Sequence, residues 1–131
     1  MGTTIETRVA QVEYGEDGIL RYKFSPGAEI EVEDVIELSQ VRMQLTGDGA
    51  VPIYINGIGA RSITREARKQ GAAPPGFPDA LAVGVLTSPL SRAMANLLQG
   101  LNKPRYPLRL FITEDAAIEW LKEFVKQHPD S

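Results

Sequence analysis

Apolar and polar positions change period several times along this chain, and each change predicts an element. Residues 8–14 (RVAQVEY) and 19–24 (ILRYKF) alternate in part with period two across the turn-prone GEDG of residues 15–18, which predicts an N-terminal β-hairpin. Ser25-Pro26-Gly27 breaks the chain. From 31 to 45 the spacing turns helical: Val32, Val35, Ile36, Ser39 and Met43 fall at i, i+3, i+4, i+7 and i+11. Leu38, Val41 and Leu45 form a second apolar stripe on the same helix, which is therefore either sandwiched within the domain or in contact with another subunit. Residues 51–55 (VPIYI) predict a short strand. Residues 80–87 (ALAVGVLT) are apolar almost throughout, the mark of a central strand covered on both faces.

Two helices follow. Leu90, Ala93, Met94, Leu97, Leu98 and Leu101 make one stripe, begun by Ser88 as N-cap and Pro89 at the first helical position. A strand at residues 108–112 (LRLFI) leads through Thr113 to a last helix with Ala117, Trp120, Leu121 and Phe124 on its buried face. With a further helix starting at residues 62–65, between the strands at 51–55 and 80–87, the order is ββαβαβαβα: an α/β (α+β) mixed sheet whose later strands run parallel and whose helices cover both faces.

Composition narrows the chemistry. A chain of 131 residues fits one domain, residues 1–131, and buries about two thirds of its unfolded surface. The absence of cysteine removes disulfides, thiolate nucleophiles and cysteine-held metals. Fourteen Lys and Arg against seventeen Asp and Glu argue against nucleic acid as a partner. No apolar run is long enough for a membrane span. The opening MGTTIETRVAQVEYG lacks a basic region followed by an apolar run, so no signal peptide is expected and a cytoplasmic protein is. The single histidine, His128, stands near the C-terminus beside Pro129, a poor place for a catalytic base. Residues 57–62 (GIGARS) begin like a dinucleotide fingerprint but place Ser62 where the third glycine belongs. Glu29, Glu31, Glu33 and Asp34 read as a hydrated helix start with no second cluster for acid–base or metal work. No catalytic set, metal site or cofactor is therefore expected.

Residues 88–121 (SPLSRAMANLLQGLNKPRYPLRLFITEDAAIEWL), with SITREAR at 62–68, resemble the uncharacterised bacterial STAS-like proteins. Their fold is similar to the anti-sigma-factor antagonists of sporulation and, more distantly, to SEC14-type lipid carriers. The resemblance implies a STAS-like mixed sheet and no defined activity. In the antagonists a phosphorylatable serine lies where a strand passes into the second helix. Here that turn falls at 62–65 (SITR), so Thr64, with Ser62 beside it, takes the acceptor's place, although the paired serines and following glycine of that motif are absent.

Two candidate sites follow. At the first, Arg61, Arg65 and Arg68 surround a helix start whose free N–H groups attract anions; the plainer alternative is an N-cap hydroxyl among solvated arginines. At the second, Ser88, Ser91, Arg92 and Asn96 stand just past the central strand, where α/β sheets bind ligands, with the prolines around Phe77 as a lid; an ordinary capped helix is the alternative there. The function expected is a non-catalytic STAS-like regulatory or protein-interaction module, a homodimer with a protein partner. The alternative is a SEC14-like carrier of a small anionic or lipid-like ligand.

Overall fold

The computed structural model of the protein describes residues 3–47, 50–67, 81–86 and 107–127. A six-stranded sheet is built from β1 (Thr3–Glu6), β2 (Ala10–Tyr14), β3 (Leu20–Phe24), β5 (Pro52–Asn56), β7 (Ala82–Leu86) and β8 (Leu108–Phe111), in that spatial order. The first three strands pair antiparallel; β3, β5, β7 and β8 run parallel, as the crossovers demand. Two strands, β4 (Ala28–Ile30) and β6 (Ala60–Ile63), pair parallel in a small sheet of their own. Helix α1 (Val32–Thr46) follows β4, and helix α2 (Glu114–Gln127) follows β8. The STAS-like mixed sheet expected from the sequence is present. The expected hairpin is β2 and β3, while β1, β4 and β6 are additions to the expected order. The helix expected from Ser88 to Leu101 and the prolines around Phe77 expected as a lid lie outside the described residues.

Strand β7 shows why its sequence carries no polar alternation. All five of its residues are buried. Val83 and Val85 join the core on the α1 side, with Val12, Leu20, Tyr22 and Ile53, whereas Ala82 and Leu86 join Tyr54, Ala117 and Leu121 under α2. Gly84 lets α2 approach: a Cβ there would sit 3.3 Å from Leu121 and 3.4 Å from Phe111. The stripe predicted for α2 holds, with Ala117 and Leu121 fully buried and Trp120 and Phe124 packed around them. At the far end of the β2–β3 turn, Asp17 and Arg21 form a bidentate pair at 2.7 and 2.9 Å, and the Arg21 guanidinium holds the Asp17 carboxyl below its usual range.

Helix α1 turns a different face inward from the stripe that begins at Val32. Asp34, Leu38, Val41 and Arg42 are buried, with Leu45 packed beside them, while Ile36 and Met43 are 41% and 53% exposed. The second stripe is thus the core stripe, sandwiched against the main sheet. Each buried leucine there contributes roughly 2–3 kcal/mol of apolar transfer. Leu38→Ala should therefore cost about 2–4 kcal/mol in denaturant unfolding, and Met43→Ala less than about 0.5 kcal/mol. Equal effects at the two positions would contradict this assignment.

Candidate functional site at the paired helix starts

The small sheet carries the first predicted site. A turn leads from β5 to β6: the Asn56 Oδ1 accepts the Ile58 N–H at 3.2 Å, and the Ala60 N–H reaches the Gly57 carbonyl at 3.2 Å. Gly59 then presses against the end of β3, where a Cβ would lie 2.7 Å from the Phe24 carbonyl oxygen, and its own carbonyl accepts the Gly27 N–H at 2.8 Å. The GIG that begins like a nucleotide fingerprint is used here as a close-packed turn.

Beyond it β6 runs beside β4, with Ser62 opposite Glu29 and Ile63 opposite Ile30. The ladder ends where the Thr64 N–H donates to the Ile30 carbonyl at 3.0 Å. One residue further along each strand a helical segment starts: α1 after Glu31, and a helical turn at residues 65–67 after Thr64. Two sets of free N–H groups are thereby set side by side.

The two starts are satisfied differently. On α1 the Asp34 carboxylate turns back to accept the Glu31 N–H at 2.8 Å. Arg8, in the tight turn between β1 and β2, donates to both Asp34 oxygens, through Nε at 3.0 Å and through one terminal nitrogen, and also to the Glu29 carbonyl at 3.1 Å. Hydrogen bonding to Asp34 raises the Arg8 pKa further. Asp34 is only 4% exposed, so the hydrated helix start expected at Glu29, Glu31, Glu33 and Asp34 is at this residue an ion-paired cap instead. Sequence reasoning missed Arg8 because its partner lies 26 residues away. On the other start Thr64 is the cap, its hydroxyl accepting the Ala67 N–H at 3.1 Å. Arg61, Ser62, Thr64 and Arg65 are all exposed.

The structure thus places Arg61, Ser62, Thr64 and Arg65 along one short segment, beside Glu29. Arg68, Ser88, Ser91, Arg92, Asn96 and Phe77 lie outside the described residues. The buried phenols Tyr22 and Tyr54 stay protonated: burial pushes both up, against a downward pull from Arg42 at Tyr22 and with a further push from Glu114 at Tyr54. Among the described residues no three histidine or carboxylate side chains converge to hold a metal, and no helix is long and apolar enough to cross a membrane.

The sequence profile of a domain of unknown function, DUF7793, matches residues 14–125. This chain belongs to the DUF7793 family. The structure is similar to the crystal structure of an uncharacterized DUF3478-family protein with a SpoIIAA-like fold from Shewanella loihica PV-4. The TM-score is 0.58 at 14% identity, over 92% of this chain and 95% of that one. The likeness is one of fold, and this DUF7793 protein has the SpoIIAA-like, STAS-like fold. A protein with unknown function from Arthrobacter sp. FB24 is 30% identical over 89% of this chain and 95% of its own, with a TM-score of 0.36. No functionally curated protein matches.

Because Gly59 sets how closely β6 approaches β3, Gly59→Ala should lower unfolding stability by about 1–3 kcal/mol. Gly57→Ala, where the nearest neighbour of a Cβ is 4.0 Å away, should cost under about 1 kcal/mol. Chemical denaturation of both variants checks this, and a neutral Gly59→Ala would contradict the close approach.

Proposed function

We propose that this DUF7793 protein is a non-catalytic regulatory and protein-interaction module whose switch is Thr64. The reading is supported by one observation: an exposed threonine at the end of a strand caps the following helical turn, flanked by exposed Arg61 and Arg65. The same place in the resembled antagonists holds their phosphorylated serine. A phosphate there adds roughly 1.5 to 2 negative charges beside free N–H groups and guanidinium groups, which favour it. Ser62 is the weaker acceptor, because its partner across the ladder is the exposed acid Glu29, and like charges facing each other across strands destabilise. The carrier alternative rests on Ser88, Ser91, Arg92 and Asn96, outside the described residues.

The test is intact-mass and fragment-ion spectrometry on protein purified from its own host, wild type and Thr64→Val. The expected result is a covalent phosphate mapped to Thr64 and absent from the variant. Wild-type protein that carries no phosphate across growth phases, or carries it equally in Thr64→Val, overturns the Thr64 switch.

A further inference from the structure

Strand β8 is bonded on one side only among the described residues. Its partner is β7, and the Val83 N–H donates to the Pro107 carbonyl at 2.9 Å. Backbone groups alternate in direction along a parallel strand, so those of Pro107, Arg109 and Phe111 serve β7 and those of Leu108 and Leu110 point away from it. Beside this edge stands Ile112, 76% exposed. On the α2 side of the sheet, the Arg109 guanidinium is stacked over Phe111 at 5.4 Å and Trp120 at 6.0 Å, and makes no ion pair among the described residues. Its position is held by the rings, and its donors make no side-chain hydrogen bond among the described residues.

We infer that this edge is the contact surface for a second copy of the chain, joined antiparallel about Leu110 to continue the sheet. The sequence LRLFI is self-complementary about that residue. Pairing across a two-fold axis sets Leu108 opposite the exposed Ile112 and Leu110 opposite its own copy on one face. On the other face it sets Arg109 opposite Phe111, a cation over a ring at each end of the seam. The outward N–H and C=O groups of Leu108 and Leu110 gain partners in the same register. A slip that centres the pair on Arg109 brings two guanidinium groups face to face, so like-charge repulsion rejects it. An extended peptide of another sequence gains the backbone bonds alone. The inference is independent of the Thr64 reading, since the two surfaces share no residue.

Sedimentation velocity across a concentration series, with hydrogen exchange at the top concentration, tests it on the full chain. The wild type should dimerise, and its Leu108 and Leu110 amides should slow as dimer forms. Ile112→Lys and Arg109→Glu, both at exposed side chains, should each raise the dimer dissociation constant by about tenfold or more, with thermal unfolding confirming that each variant is folded. Met43→Lys, on the exposed face of α1, should change nothing. A wild type that stays monomeric at high micromolar concentration overturns the inference, as does a dimer that both edge variants leave unchanged.

Discussion

The hydrogen bond from the Thr64 N–H to the Ile30 carbonyl closes a ladder only three residue pairs long, and the organisation of the sheet's carboxyl end depends on it. Strands β4 and β6, paired in a sheet of their own, each lead into a helical segment, and each helix start has N–H groups that its own helix cannot satisfy. Pairing β4 with β6 fixes both helix starts in one register. The start of α1 is completed from within by Asp34 and from outside by Arg8. The other is capped, among the described residues, by the Thr64 hydroxyl, with Arg61 and Arg65 on either side. One start is thus closed by a buried ion pair and the other by an exposed hydroxyl, and this difference is the observation behind the proposal that Thr64 is the switch.

The main sheet supplies rigidity beneath that end. Its parallel half is covered on both faces, by the α1 core on one and α2 on the other, with Tyr22, Ile19, Leu20, Ile53, Val83 and Leu121 essentially excluded from water. A sheet packed in this way resists bending, so the close approach of Gly59 to Phe24 and the reach of Arg8 to Asp34 are set by strands that do not give. Fold and candidate site are in this sense one construction: the sheet fixes the distances, and the short ladder converts them into two adjacent helix starts.

Much of this is legible in the sequence where one periodicity dominates. The unbroken apolar run around Val83 and Val85 identifies a strand covered on both faces, and Ala117, Trp120, Leu121 and Phe124 identify the inward face of α2. The orientation of α1 is not legible, because both of its stripes are apolar and the buried one includes Asp34 and Arg42. The buried aspartate is satisfied by the Glu31 N–H and by Arg8, and the Arg8 contact, over that separation, leaves no trace in local spacing. Strands β4 and β6 escape notice because AEI and ARSI are too short to show alternation. Local spacing therefore assigns Arg61 and Ser62 to a helix start, whereas they belong to a strand. Thr64 is placed at the cap by its position alone, since a hydroxyl before a helical turn has a local physical reason to be there.

The ladder is the central claim, and amide hydrogen exchange at Thr64 tests it most directly. A Thr64 amide bonded to Ile30 should be protected together with the main-sheet amides of Ile53 and Val83 and open only with them. A Thr64 amide that exchanges at the rate of an unstructured peptide, while Ile53 and Val83 stay protected, would contradict the account.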